Sequence, residues 1–334
     1  MDEVEVAGRK VIVGTHGTMR VHIDLDVSSP YTAFVEVMSA TNSVQEEAEK
    51  TDPEMPVVVE EKKLIIFDHH GPLSWKKSVS RQAFQWLKLR PEGEEVGEIV
   101  VEPPLDADQV TAVVQLVTGE PAPEEVVLGI DAEDRKSAVG LWDKIKSGHR
   151  ELGAAIPVLE AVNKVNEERG GPWFSDDPEE FAEALVEALG RVYKVIEAIK
   201  DGDIDPEREA ERWTEEFEEW AEKQCRDQDI IEELEIAGYR VVFAEAPPTA
   251  LYVAKNADLA VSHGQGRVTI GISPISDLDV DLRELFKWLS KKHRQGWGGR
   301  PDVGGSPKDY TIDRKEFEET VIPLIKRWIR EQLG

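Results

Sequence analysis

Through the first half of this chain, short apolar runs that end in polar residues alternate with stretches of helical spacing. KVIVGTH, MPVVVE and KLIIFDHH are rich in Val and Ile, which suit a pleated, half-buried surface. Between and after them, VSRQAFQWLKL and ADQVTAVVQLVTG space their apolar residues for helices, and Gly119 is placed to cap the second. Alternation of this kind leaves few options: an α/β fold with a parallel sheet and helices packed on its faces. EEVVLGIDAED fits either a helix end or a strand end.

From about residue 151 the pattern turns helical. Asp177 and Pro178 form a start signal for a helix carrying Phe181, Leu185, Leu189, Val192, Ile196 and Ile199 at helical intervals. Residues 205–235 then hold 14 acids and 4 bases, with Trp213, Phe217 and Trp220 as a single apolar stripe, the pattern of a connector lying on a domain face. After Gly238 strands return in YRVVFAEA, ADLAVSHG and RVTIGIS, followed by a helix, the glycine-rich GWGGRPDVGGSP and a last amphipathic helix. The expected organisation is a first α/β domain over 1–200, an acidic connector helix over 201–236 and a smaller second α/β domain over 237–334.

Charge and cysteine content narrow the chemistry. The net charge of −28 disfavours nonspecific binding to duplex DNA, which needs Lys and Arg to displace counterions, and fits a highly soluble surface. A local basic patch remains compatible with it, because residues 283–300 carry 6 bases and 1 acid. Cys225 is the only cysteine, so neither an intrachain disulfide nor a cysteine zinc cluster can form, and any metal must be held by His, Asp and Glu. No apolar run approaches the ~20 residues of a membrane span, and the acidic opening MDEVEVAGRK does not read as a secretory leader. A cytoplasmic protein that does not enter membranes is expected; an oligomer is compatible with the sequence.

Ligands of open α/β sheets bind beyond the carboxyl ends of the strands. Three polar clusters fall at such places: THGTMRVHIDLD, which holds His16, His22 and Asp24; Asp68-His69-His70, directly after LIIF; and Asp131 with Asp134 in GIDAED. Imidazoles and carboxylates of this kind suit Mn²⁺, Mg²⁺, Fe or Zn²⁺. The Asp-His-His triplet is the most telling of the three, because a strand gains nothing from ending in an unpaired buried acid. In the second half, Gly298, Gly299, Gly304 and Gly305 permit close backbone approach to a phosphate, and Arg300, Lys291, Lys292 and Arg294 add positive potential. The same residues also suit a tight turn beside a solvated basic helix face. Trp297 is either a core residue or a platform for a base.

FDHH at a strand end, with an earlier His/Asp cluster and a later Asp, resembles the DHH phosphoesterase superfamily of RecJ exonucleases, oligoribonucleases and manganese pyrophosphatases. VIVGTHGTMRVHIDLD and GIDAED are most similar to the melanocyte-proliferating-gene exonucleases within it. RVTIGISPISDLDVDLRELFKWLSKKHRQGWGGRPDVGGSP looks like the DHH-associated substrate domain, with Arg300 where many relatives have His. The resemblance spans nearly the whole chain. It implies that His16, His22, Asp24, His69 and Asp131 ligate metal, that Asp68 orients His69, and that His70 faces the phosphate. Glu60 in PVVVEE is the best match for the carboxylate that ends the second strand in the family. Gly298, Gly299, Arg300, Gly304, Gly305 and Arg267 would contact substrate. Two divalent ions are implied, manganese first and magnesium second, activating water for attack on a phosphodiester of short single-stranded nucleic acid. A polyphosphate or small-nucleotide substrate, or a nonhydrolytic binding protein with an incomplete metal centre, are the other readings.

Overall fold

The computed structural model describes residues 2–6, 9–15, 20–25, 31–36, 47–70, 73–90, 95–103, 105–169 and 177–333, with backbone alone for 2–6 and 9–15. The chain forms two compact units, Met1–Trp213 and Thr214–Gly334.

In the first unit seven strands form one sheet: β1 (Asp2–Val6), β2 (Arg9–Thr15), β3 (Val21–Leu25), β4 (Tyr31–Val35), β5 (Val57–Val59), β6 (Leu64–Phe67) and β7 (Val96–Val101). Their spatial order is β1-β2-β3-β7-β4-β6-β5. The α/β class expected from the alternation is the one observed, but the sheet is mixed rather than parallel. Only β7, β4 and β6 run parallel to one another; β1, β2, β3 and β5 pair antiparallel to their neighbours. Connection length explains the difference. β1, β2 and β3 follow one another after a few residues, too few for a crossover, whereas β6 reaches β7 through α1 (Val79–Leu89).

Alternation sorts the side chains of each strand. On β3, Val21, Ile23 and Leu25 are buried against the helices, which puts His22 and Asp24 on the other face. The main core lies between that sheet face and α1, α2 (Ala107–Thr118), α4 (Ile156–Glu168) and α5 (Pro178–Lys200), and it includes Ile99, Val113, Val162 and Leu189. Local signals set the ends of these helices. Asp106 caps α2 by accepting the Gln109 N–H, Gly119 closes it at φ +72°, and Asp177 caps α5 by accepting the Glu179 N–H. EEVVLGIDAED lies in α3 (Glu124–Lys146), a helix broken at Lys136 and Ser137.

α6 (Pro206–Asp227) carries the acidic run, and the helical part of the expected connector ends there rather than at 236. Residues Ile230–Ile236 instead form β8, the edge of a second sheet. Two of its acids have partners: Glu232 pairs with Lys326, and Glu233 pairs with Arg240 and Lys255. Charged side chains suit an exposed edge strand. The sheet continues through β9 (Tyr239–Ala244), β10 (Leu259–Gly264), β11 (Arg267–Ile272), β13 (Val303–Gly305) and β12 (Gly298–Gly299). β9 and β10 are parallel, joined through α7 (Pro248–Lys255). Packed on the sheet are α8 (Leu282–Lys292) and α9 (Ile322–Leu333), which follows a π-helical turn at Phe317–Val321; Phe243, Val261, Phe286 and Trp328 belong to this second core. Among the described residues no helix is long and apolar enough to cross a membrane.

Candidate metal centre

The three parallel strands deliver acids and imidazoles to one edge of the first sheet. β4 ends at Glu36, whose backbone N–H donates to Phe67 O over 2.9 Å, and β6 ends at Asp68-His69-His70. After β7 the chain turns into α2, whose first residues bring Asp106 and Asp108. From α3 comes Asp134.

His69 is the hub. Its side chain is 12% exposed, and Nε2 lies 3.3 Å from Glu36 Oε1 and 3.9 Å from Asp108 Oδ2. On the other side of the ring, Nδ1 lies 3.5 Å from Asp134 Oδ2. Two groups of potential metal donors result, Glu36 with His69 and His70, and His69 with Asp108 and Asp134; within each, the donor atoms all fall within 4.8 Å of one another. His70 packs its ring 4.4 Å from that of His69. Asp68 accepts the His70 N–H at 2.8 Å and lies 3.2 Å from His70 Nδ1, so the carboxylate implied to orient His69 is instead engaged with His70.

Asp108 also has a structural task. It accepts the Val79 and Ser80 backbone N–H groups at 2.7 and 2.9 Å, filling from a neighbouring helix the cap that Ser78 leaves unmade. Gln109 donates to both Glu36 and the Glu102 carbonyl.

So many carboxyls around one imidazole cannot all carry charge cheaply. Burial, reinforced by the charges of Asp106 and Asp108, holds Glu36 well above the usual carboxylate range. The same two causes push Glu133 up to about 7, and burial with the Asp108 charge pushes Asp134 up to about 9. Asp106 rises to about 6, again chiefly through burial. Asp134 Oδ2 is buried and has no hydrogen-bond partner among the described residues. A divalent cation would relieve both the repulsion and the unmet oxygen, and a mixed imidazole and carboxylate set is what Mn²⁺, Mg²⁺, Fe²⁺ or Zn²⁺ accept. The residues present fit such an ion.

The residues assigned from the resemblance are distributed more widely. His16 lies outside the described residues. His22 and Asp24 belong to neither donor group: His22 Nδ1 is 2.7 Å from Glu98 Oε1, and Asp24 is exposed. Glu60 is a surface residue that accepts the Tyr31 hydroxyl at 2.8 Å and pairs with Lys63 at 3.1 Å. The cause is strand direction. β5 runs antiparallel to β6, with Val59 opposite Leu64, so Glu60 emerges at the end of β6 away from Asp68. Glu36, after a parallel strand, is the carboxylate that reaches His69. Asp131 accepts the Ser78 N–H at 3.1 Å and an Arg81 N–H at 3.3 Å; Asp134, one turn further along α3, faces His69 in its stead.

In the second unit the glycines form the β12–β13 hairpin. A Cβ on Gly304 would collide with Phe286 at 2.5 Å, so close packing requires that glycine. Arg300 extends into solvent, 76% exposed, with Asp302 at 3.6 Å. Arg267 is spent on structure, donating to the backbone carbonyls of Pro307 and Lys308. Trp297 is a core residue, 6% exposed, whose Nε1 donates to His293 Nδ1 at 3.2 Å.

No protein-family profile matches this chain, and no curated protein matches it. Among solved structures it is similar over 80% of its length to the DHH domain of a member of the s1p family of ribosomal proteins, at 14% identity and a TM-score of 0.36, and it spans 64% of that chain. An uncharacterized protein from Helicobacter pylori G27 is matched at 9% identity and a TM-score of 0.20, over 91% of this chain and 98% of the other.

Proposed function

We propose that this protein is a divalent-metal-dependent phosphohydrolase whose reaction centre is the His69 cluster, acting on phosphodiesters of short single-stranded nucleic acid. The observation that carries the reading is the bracketing of both His69 ring nitrogens by carboxylates, one of which, Asp134, faces the ring through a buried oxygen that makes no hydrogen bond among the described residues. The position supports it too, since ligands of open α/β sheets sit beyond the carboxyl ends of parallel strands. The Asp-His-His triplet at that place is the motif on which the sequence resembles DHH phosphoesterases.

His69, Asp108, Asp134 and Glu36 would hold the ion or ions, manganese before magnesium. A bound divalent ion supplies Lewis-acid polarisation of a phosphoryl oxygen and lowers the pKa of bound water. His70 is half-exposed, and with Nδ1 held by Asp68 its Nε2 is the atom able to donate to a substrate oxygen. Asp108 ties the cluster to the start of α1, which keeps the carboxylates from relaxing apart.

Metal-stripped protein titrated with Mn²⁺ in a calorimeter, followed by Mn²⁺-dependent release of nitrophenol from bis(p-nitrophenyl) phosphate, tests the proposal. Stoichiometric binding and turnover are expected, with His69→Ala losing at least 100-fold in kcat/KM. Binding without turnover of any phosphodiester would make the chain a nonhydrolytic metal-binding protein, and failure to bind would remove the centre itself.

A further inference from the structure

A set of cations near α3 takes no part in the His69 cluster. A cavity of about 460 Å³ opens beside α3, bounded by the residues that lead into α1 and by the 3₁₀ turn at Arg150–Ala155. Lys77, Arg81, Arg135, Lys136 and Lys144 line it, and Leu128 and Leu152 contribute apolar surface. Three acids, Asp131, Asp143 and Glu151, share the lining. Asp131 is engaged with Arg81, and Glu151 lies 3.2 Å from His149 Nδ1.

Several Arg side chains elsewhere in the first unit are matched to acids. Arg169 holds Glu183 and Glu187, Arg191 holds Glu168 and Glu187, and Arg212 holds Glu160 and Glu209. Among the described residues, by contrast, Lys77, Arg135, Lys136 and Lys144 form no ion pair. Four unmatched cations in one concavity of a chain with net charge −28 form a local reversal of sign. Five basic side chains against three acids leave the lining net positive, so an anion in direct contact with it meets an excess of cations.

The backbone is shaped to gather them. α3 breaks at Lys136 and Ser137, where Ser137 takes φ +58°, ψ −177°, a conformation costly for a residue with a side chain. In a regular helix the Cβ positions of residues four apart are about 5–6 Å from one another. Here a Cβ on Gly140 would overlap that of Lys136 and lie 2.8 Å from the Ala132 carbonyl oxygen. The bend is therefore tight on the side that bears Ala132, Lys136, Gly140 and Lys144, and all four of these residues line the groove. The groove also adjoins the His69 cluster. Asp131 in its wall and Asp134 in the cluster are a single helical turn apart, about 5 Å along α3.

We propose that this groove binds a second phosphate of the substrate, adjacent to the one cleaved, so that the preferred substrate is an oligonucleotide with at least two phosphates. The identity of the cleaved phosphate rests on the phosphohydrolase reading; the anion site itself does not. Lys and Arg at a phosphate form charge-assisted hydrogen bonds, and here they would set the register of a strand whose next phosphate lies at His69.

Two measurements separate the parts. In the first, full-length protein in EDTA is titrated with inorganic pyrophosphate, which removes metal chemistry from the outcome. Pyrophosphate should bind, and the Lys136→Glu/Lys144→Glu double variant, with folding checked by circular dichroism, should bind it at least tenfold more weakly. No binding, or equal binding by the variant, overturns the groove as an anion site. The second measurement compares kcat/KM in Mn²⁺ for a 5′-phosphorylated dinucleotide with that for the unphosphorylated dinucleoside monophosphate. A preference of tenfold or more for the phosphorylated form, lost in the double variant, is expected. A groove that binds pyrophosphate but gives no such preference would be a site for free polyphosphate, which overturns the link to substrate. If neither dinucleotide is hydrolysed, the phosphohydrolase reading fails, and the EDTA titration still decides the groove.

Discussion

Two histidine-centred clusters, one in each unit, have opposite electrostatic character. In the second unit the polar groups satisfy one another: Trp297 donates to His293, His293 Nε2 lies 3.0 Å from Glu316, and the Tyr310 hydroxyl donates to the same carboxylate at 2.9 Å. One imidazole there meets one acid. In the first unit His69 faces Glu36, Asp108 and Asp134, the neighbouring carboxyls are raised, and buried Asp134 Oδ2 makes no hydrogen bond among the described residues. A closed network of the first kind holds a fold together as it stands. The second kind is costly until a proton or a cation arrives, and that unmet charge is the physical mark of a binding site.

The largest effect that can test this contrast is on metal affinity. His69→Ala and Asp134→Asn should each weaken Mn²⁺ binding by about 100-fold, since each removes a donor from a small set. Glu316→Gln, in the closed network, should leave Mn²⁺ affinity as it is. Calorimetry on the three variants reads this directly, and a Glu316→Gln protein as impaired as His69→Ala would erase the distinction between the clusters.

Next in size is a pH effect with a definite sign. Glu36, Asp106, Glu133 and Asp134 all have raised pKa values in the folded chain. Below the ordinary carboxyl pKa of about 4 they are protonated folded or unfolded, and their contribution to stability is fully present. As pH rises through about 6, 7 and 9, the values for Asp106, Glu133 and Asp134, that contribution is lost. The metal-free protein should therefore melt at least about 5 °C lower at pH 9 than at pH 5, and Mn²⁺ should restore more stability at the higher pH. Differential scanning fluorimetry with and without Mn²⁺ checks it; a metal-free melting temperature that stays flat or climbs would mean the carboxyls are relieved in some other way.

A smaller effect distinguishes two acids one turn apart. Asp131→Ala should cost about 1–2 kcal/mol of stability through the lost Ser78 N–H and Arg81 contacts, while Mn²⁺ stoichiometry is unchanged. Loss of a bound ion in that variant would return Asp131 to the metal set.

These two acids also show where sequence reading stops. Local signals are written in adjacent residues, so α1 at Val79–Leu89 and the Gly119 cap of α2 are legible from spacing and turn chemistry. The strand-end position of Asp68-His69-His70 is legible for the same reason. Which of Asp131 and Asp134 turns toward His69 depends on how α3 is rotated against the sheet, and no local pattern encodes that rotation. Strand direction is equally hidden. PVVVE and YTAFVE both end an apolar run in Glu, yet β5 runs antiparallel to β6 and β4 parallel, so Glu60 and Glu36 emerge at opposite ends of the sheet. Asp106 and Asp108 sit at the start of α2, and their approach to the His69 cluster follows only from the packing of that helix against β4, which ends at Glu36.

The smallest expected effect concerns the β12–β13 hairpin. Arg300 is 76% exposed and its nearest acid, Asp302, lies 3.6 Å away, so Arg300→Ala should shift the melting temperature by less than about 2 °C. Its effect on catalysis is the sharper measurement. An exposed guanidinium at the tip of a glycine hairpin, held only by a long, solvent-exposed pairing with Asp302, can exchange that contact for a bidentate grip on a phosphate. If it does so, Arg300→Ala should lower kcat/KM by about tenfold on a phosphodiester with full metal content, and Arg300→Lys should recover part of the loss, since a point charge cannot reproduce the fork. Unchanged turnover by Arg300→Ala would place the hairpin with the closed polar network of the second unit, leaving the His69 cluster and its adjoining cationic groove to account for substrate binding by themselves.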